Sequence, residues 1–211
     1  MAHYDLQEQE QISNLKYFWQ KGGKYIIGLV VLIIIAYIGN TLWNIHKQNQ
    51  AAQAATVYAL FEDGMKAESI VAVMGPVNQL QTEYPKTEYA AMASLEAAKF
   101  WWTLKNESEA MHLLNWVIDN AADKGLISIA RIHLADAFID QNNFTQAMDQ
   151  LQASHEAAFD FMYYMKRGDL YVVKGQADRA RDAYKEALAK VGNDVNLQQM
   201  IQMRIDVLGN N

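Results

Sequence analysis

The stretch that decides the fold runs from Phe161 to Asp194 and reads FMYYMKRGDLYVVKGQADRARDAYKEALAKVGND. Small and aromatic residues recur in it at helical spacings, and one glycine-containing turn divides it in two. Gly168 on the first predicted helix and Ala180 on the second have little bulk, so the two backbones can approach closely. We predict a packed pair of helices, with Tyr171 and Tyr184 filling the space beside the contact.

The spacing of these residues resembles that of a tetratricopeptide repeat. The matching positions are Tyr164, Gly168, Tyr171, Gly175, Ala180, Tyr184 and Ala187. Similar patterns place earlier repeats at about 91–124 and 128–160, before the one at 161–194, and a degenerate first unit ends at Tyr84-Pro85. If Gly168 makes the predicted contact, Gly168→Leu is expected to destabilise the domain and Gly168→Ala to have a mild effect.

A second stretch, Tyr25–Ile45, contains no charged residue. As a helix its roughly 21 residues span about 31 Å, which matches the hydrocarbon core of a bilayer. Aromatic residues and lysines flank it, as they do at membrane interfaces. We predict an uncleaved transmembrane signal anchor. The alternatives are a cleaved signal peptide and a buried core helix.

The lysines beside the anchor predict its orientation. Lys16, Lys21 and Lys24 precede the span, whereas only Lys47 follows it within about twenty residues. The positive-inside rule therefore keeps the N-terminus in the cytoplasm and translocates the remainder of the chain.

These patterns predict an all-α fold with one N-terminal transmembrane helix, a tetratricopeptide-repeat-like α-solenoid and a C-terminal capping helix. The predicted segments are a cytoplasmic tail at 1–24, the transmembrane helix at 25–45, a stalk helix at 46–66 and the repeat domain at 67–211, with its cap at 195–208. In the cap, apolar residues recur on one helical face, as a terminal repeat with a polar outer face requires.

Composition argues against several classes of function. The net charge of -6 falls on the part after the anchor, so nucleic-acid binding is not expected. The absence of cysteine removes disulfides, thiol catalysis and thiolate metal sites. Asp136 and Asp140 share a helical face, but they lack the histidine or third acid that catalysis or metal binding would need. We predict no enzymatic activity, no metal and no cofactor.

Three stretches carry a further resemblance, which extends over nearly the whole chain. They are Tyr89–Glu96 (YAAMASLE), Arg167–Tyr184 (RGDLYVVKGQADRARDAY) and Gln199–Ile205 (QMIQMRI). Together with the short tail and the single anchor, they resemble the YfgM family, the ancillary subunits of the bacterial SecYEG translocon.

The resemblance implies a single-pass protein of the bacterial inner membrane with a periplasmic repeat domain. Its implied partners are the SecYEG channel, the periplasmic chaperone PpiD and emerging secretory or envelope chains. A tetratricopeptide adaptor in another envelope-assembly process is the alternative. A cytoplasm-facing receptor would require the lysine bias to be ignored.

In tetratricopeptide domains, fixed positions of each first helix line a concave binding face. Carrying these positions over gives a predicted concave-face set: Met92, Leu95, Lys99, Trp102, Thr103, Ile129, Ile132, Asp136, Ile139, Asp140, Met162, Met165, Asp169, Val172 and Val173. Most are apolar, and the methionines adapt to irregular partners. We predict a partner-binding groove. The alternative is that the stalk, the cap or a second copy fills it and makes these residues core.

Overall fold

The computed structural model describes residues 3–209, and its regular elements there are helices. The α-helices are α1 (His3–Phe18), α2 (Lys24–Lys66), α3 (Ile70–Glu83), α4 (Glu88–Thr103), α5 (Glu107–Asn120), α6 (Lys124–Asp140), α7 (Phe144–Gln152), α8 (Asp160–Val173), α9 (Ala177–Lys190) and α10 (Val195–Val207). A π-helical turn, Trp19–Gly23, follows α1, and a 3₁₀ turn, Ala157–Phe159, precedes α8. No strand occurs within the described range, and the predicted all-α class is confirmed.

The chain divides into two compact units, one ending at Asn49 and one beginning at Gln50. The first unit contains the apolar part of α2, where a window of mean hydropathy 2.3 is long enough to cross a membrane. Its side chains, such as Leu32 and Ile35, are exposed, as expected for groups that face lipid. The predicted N-terminal transmembrane helix is therefore part of the confirmed fold.

The second unit is a row of helical hairpins that share one kind of turn. In the α2–α3, α4–α5, α6–α7 and α8–α9 hairpins, the turns contain residues with left-handed backbones: Glu68 (φ 50°), Lys105 (φ 62°), Asn142 (φ 59°) and Gly175 (φ 68°). In each turn the next N–H donates to a carbonyl five residues earlier, as from Asn106 to Trp101 at 3.0 Å. This Schellman-type bond ends the first helix of every hairpin at the same point of the repeat.

The C-terminal end of α2 is the first helix of this row. Ala54 and Phe61 are fully buried, and they belong to the same core cluster as Val73 of α3. The predicted stalk, 46–66, is the C-terminal part of the continuous helix α2, and from Gln50 onward it belongs to the second compact unit. The sequence does not show this packing, because helical composition without proline runs through the segment and does not mark where packing begins.

Gly64 lets α3 approach α2 closely. A Cβ built at Gly64 would lie 2.5 Å from the carbonyl carbon of Ala72 and 2.9 Å from the nitrogen of Val73. It would come closer still to the carbonyl oxygen of Ala72. These are backbone atoms, which cannot rotate away as a side chain can, so the contact requires glycine.

Gly168 makes the close contact that the sequence predicts, but its neighbour is a ring. A Cβ at Gly168 would lie 2.5 Å from Cδ1 and 2.8 Å from Cζ of Tyr184, and closer still to Cε1. Tyr184 is buried, and its hydroxyl is held by Asp169, so the ring has little room to move. The structure therefore predicts a larger effect of Gly168→Ala than the sequence does, since even one methyl group would lie too close to the ring.

The three clear repeats correspond to the hairpins α4–α5, α6–α7 and α8–α9, and α10 follows them as the last helix. Ile201 of α10 is fully buried in the cluster that holds Tyr184 of α9. Two arginines fix the helix further: Arg204 pairs with Asp169, and Arg181 donates to the carbonyl of Gly209 at 2.5 Å. Burial and charge pairing together hold the C-terminal helix on the hairpin row.

Candidate partner-binding surface

Two members of the predicted concave-face set are core residues. Ile132 is 3% exposed and Ile139 is 9% exposed, and both lie in a cluster with Leu151 and Tyr163. Their assignment to an open surface is therefore wrong. The reason is that the adjoining hairpin covers this part of α6. The alternative prediction expected core positions here, but it named the stalk, the cap or a second copy as the cover. Asparagine at either position would bury an unsatisfied amide and so destabilise the domain.

Six other members are half buried along the hairpin row: Met92, Leu95, Trp102, Ile129, Met162 and Met165. Met92, Leu95 and Trp102 pack against the first core cluster, while Met162 and Met165 pack against the second and third. These five therefore contribute packing inside the domain and present only part of their surface to a partner.

Two of the three aspartates of the set, Asp136 and Asp169, form a network inside the domain. Lys166 of α8 lies 2.9 Å from Asp136 of α6 and 3.9 Å from Asp169 of α8. Asp169 also accepts a hydrogen bond from the Tyr184 hydroxyl at 2.8 Å and pairs with Arg204. These two carboxylates join α6, α8, α9 and α10, so they stabilise the repeat stack.

Burial of Tyr184, and then its hydrogen bond to Asp169, raises the pKa of the phenol to about 12. The neutral phenol is thus the favoured form next to the carboxylate. Sequence reasoning missed Lys166 and Arg204, since 35 residues separate Arg204 from its partner and no local spacing signals the pair.

The remaining members of the set are exposed: Lys99, Thr103, Asp140, Val172 and Val173. Lys99 and Thr103 line an open depression of about 410 Å³ with Met65, Glu96 and Phe100. No hydrogen bond or ion pair to the described side chains, at 10–23 and 25–209, or to the backbone of 3–209 engages the Lys99 ammonium. The depression therefore combines apolar walls with an ammonium that is open to a partner.

The floor of this depression is held by the first hairpin. Tyr58 of α2 donates to Oε1 of Glu96 at 2.9 Å, and its ring lies 5.4 Å from that of Tyr89. Burial, followed by the bond to Glu96, raises the pKa of Tyr58. One carboxylate oxygen is thus fixed, while Glu96 itself stays exposed beside Lys99.

A second polar cluster lies in the connection between α7 and α8. The His155 ring stacks on Tyr163 at 3.6 Å, and its Nε2 lies 3.1 Å from Asp160. Asp160 also pairs with Lys190 at 3.1 Å, and that hydrogen bond is the main reason that the pKa of Asp160 is lowered. These contacts fix the connection against the last hairpin.

A histidine next to an aspartate suggests acid–base chemistry, but the nearby Ser128 hydroxyl already makes two hydrogen bonds to the backbone. Ser128 is fully buried, donates to the carbonyl of Lys124 at 2.8 Å and accepts from the N–H of Glu156 at 3.2 Å. It is therefore not an activated nucleophile. Among the side chains that the structure describes, those of residues 10–23 and 25–209, no group of three His, Cys, Asp or Glu could hold a metal ion.

Comparison with known proteins places this architecture in a family. Residues 16–210 match the family model described as a tetratricopeptide repeat-like domain. Among the relatives that carry the name ancillary SecYEG translocon subunit are those of three bacteria. That of Neisseria gonorrhoeae is 28% identical over 96% of this chain and 98% of its own length. That of Haemophilus influenzae is 26% identical over 97% and 99%, and that of Escherichia coli K12 is 28% identical over 95% and 96%.

These similarities extend over nearly the full length of both chains, so they include the anchor as well as the hairpins. The family is one of non-enzymatic adaptors, which confirms the prediction that the chain is not an enzyme. The resemblance to the YfgM family is likewise confirmed, and the chain belongs to the tetratricopeptide repeat-like domain family.

Proposed function

We propose that this protein is a membrane-anchored adaptor of the SecYEG translocon, which holds a repeat domain beside the channel to bind other proteins. The observation that carries the proposal is the similarity to ancillary translocon subunits over at least 95% of this chain. This chain has one apolar span followed by a row of helical hairpins, as a membrane-anchored adaptor requires.

The repeat domain belongs on the periplasmic side under this proposal. Lys16 and Lys21 lie before the span and Lys47 after it, and Lys24 adds to the N-terminal bias. Protease added to spheroplasts should digest the domain while the outer face of the membrane alone is accessible. If the domain resists protease until the cells are lysed, its orientation is the opposite of the one proposed.

The depression lined by Met65, Glu96, Lys99, Phe100 and Thr103 is the proposed contact surface for a protein partner. It retains two members of the predicted concave-face set, and it supports binding in two ways. Its apolar walls offer area to bury, while the open Lys99 ammonium favours a partner segment that carries a carboxylate near an apolar side chain. The proposed partners are the channel, PpiD and emerging secretory or envelope chains.

Site-specific crosslinking in native membranes tests both function and surface. A photoreactive residue at Lys99 or Thr103 of α4 is compared with one at Asp149, an exposed position on α7 that serves as the matched control. Identified adducts with channel subunits or PpiD, from α4 and not from α7, are the expected result. Adducts with the channel from neither helix would contradict the function, whereas equal yields from both helices would contradict only the surface.

A further inference from the structure

The end of α1 presents large apolar side chains to its surroundings. Ile12, Leu15 and Trp19 are 57%, 59% and 50% exposed, and they recur at intervals of three and four residues. This spacing places them on one helical face. Tyr17 and Phe18, elsewhere on the helix surface, are exposed as well. So much uncovered apolar surface in one short segment indicates a partner.

The charge of the segment selects the kind of partner. Between Ser13 and Lys24 the chain contains three lysines and no acidic residue. The Lys21 ammonium lies 5.0 Å from the centre of the Tyr17 ring, where the π face stabilises the cation. Lysines combined with exposed aromatic rings are typical of segments that bind anionic lipid headgroups.

The segment is joined directly to the membrane helix by an unusual turn. Trp19–Gly23 forms a π-helical turn, and the charge-free run begins at Tyr25. The indole of Trp19 lies over Gly23, where a Cβ would be 3.0 Å from Cζ3 and closer still to Cε3. A Cβ at Gly22 would instead point into open space. Turns of this kind allow a helix to change direction.

The helix must change direction if its apolar face is to reach the headgroup layer. In a straight helix Ile12 would lie about 20 Å along the axis from Tyr25, well beyond a headgroup layer of roughly 5–8 Å. The face would then stay in water. Bending at the π turn instead brings Ile12, Leu15 and Trp19 into the layer where amphipathic side chains are most stable.

We propose that Ile12–Trp19 is an interfacial helix that binds the anionic headgroup layer of the membrane crossed by α2, with the π turn at Trp19–Gly23 as its joint. The lipid surface is favoured over a protein partner because the segment adjoins the span without a linker and its charge is opposite to that of acidic lipids. Lys16 and Lys21 supply the electrostatic attraction, and the apolar face supplies insertion.

The absence of cysteine allows a direct test with the full chain. Nitroxide labels are attached to Ile12→Cys, Leu15→Cys and, as the polar-face control, Asn14→Cys. Each variant is reconstituted at a low protein-to-lipid ratio in vesicles of phosphatidylcholine alone or with phosphatidylglycerol. Relaxation by oxygen and by a water-soluble nickel complex then reports the depth of each label.

In the anionic vesicles, the oxygen-to-nickel accessibility ratio is expected to be several-fold higher at positions 12 and 15 than at 14. The difference should shrink in phosphatidylcholine and in the Lys16→Gln, Lys21→Gln double variant, while Lys47→Gln should leave it unchanged. Equal water exposure of all three labels would overturn the proposal. The proposal would also be overturned if the labels at positions 12 and 15 were equally protected from the nickel complex in neutral and anionic vesicles. The same holds if this protection appeared only at high protein density or after the channel is added.

Discussion

Tyr184 of α9 packs its ring directly onto Gly168 of α8 and donates its hydroxyl to Asp169, the next residue of that helix. One aromatic side chain therefore sets both the distance between the two helices and the pairing of a carboxylate that also binds Arg204 of α10. The last hairpin and the C-terminal helix share this single point of support.

Gly168→Ala should destabilise the domain by about 1–3 kcal/mol, because the added methyl group collides with the Tyr184 ring. Thermal unfolding of the purified chain, followed by circular dichroism, measures the effect. A double-mutant cycle provides the control. Tyr184→Leu removes the ring, so Gly168→Ala should cost clearly less in that background. If the unfolding free-energy changes of the two substitutions were strictly additive, the contact between Gly168 and Tyr184 would be contradicted.

Gly64→Ala should be at least as damaging, at roughly 2 kcal/mol or more, because the methyl group meets the backbone of α3 and no side chain can move to relieve it. Glu62→Ala is the matched control. It lies on an exposed position of the same helical turn and should change the free energy of unfolding by less than about 0.5 kcal/mol. Similar unfolding free energies for the two variants would show that α2 and α3 do not approach closely at Gly64.

Because the left-handed turn recurs, substitutions at equivalent positions should change the free energy of unfolding in opposite directions. Lys105→Gly should stabilise by a few tenths to about 1 kcal/mol, since the left-handed backbone disfavours a side chain more than it disfavours glycine. Gly175→Ala should destabilise by about 1 kcal/mol for the same reason. Chemical denaturation of both variants measures the difference. A shift in the same direction for both would mean that the two turns are not equivalent.

Stability should fall at high pH partly through Tyr184. Its folded pKa of about 12 lies above the ordinary tyrosine value of about 10, so its contribution is complete below pH 10 and is lost as the pH rises from 10 to 12. Tyr184→Phe should reduce this loss by about 1–3 kcal/mol and cost about 1–3 kcal/mol near neutrality, where a hydrogen bond to a charged group is removed. Urea unfolding at pH 8 and pH 11.5 tests both signs, and unchanged pH dependence would contradict the assignment.

A fragment that begins at Gln50 should fold without the membrane anchor. Its core clusters run from Ala54 to Ile201 and include no residue of the span. We expect a soluble, helical product with one cooperative melting transition. A fragment beginning at residue 67 is the control. It lacks Phe61 and the rest of the first helix, so it should expose Val73 and Leu80 and aggregate or melt at a lower temperature.

The features that sequence predicted are those with local signals. The length of the uncharged run from Tyr25 predicts a membrane span, and the spacing of Gly168 and Ala180 predicts a closely packed helix pair. The left-handed residues Glu68 and Lys105 could not be anticipated in this way, because neither is a residue type that favours that conformation.

The candidate site was predicted less well than the fold. The family positions located α4, α6 and α8 correctly as first helices, yet they could not show that neighbouring hairpins bury Ile132 and Ile139. Nor could they show that Asp169 would be occupied by Arg204, because such pairs depend on distances between helices far apart in sequence. Lys99 remained open because it projects from an exposed position of α4.

The hairpin row has a kinetic consequence. Within residues 50–209, the main long-range packing joins helices that are neighbours, or next neighbours, along the chain, so this packing does not depend on a distant segment. Each hairpin that leaves the ribosome or a channel can pack at once on the one before it, starting from Phe61, Val73 and Leu80 at the N-terminal end. Assembly is then vectorial, and Arg204 completes it by locking the final helix onto Asp169.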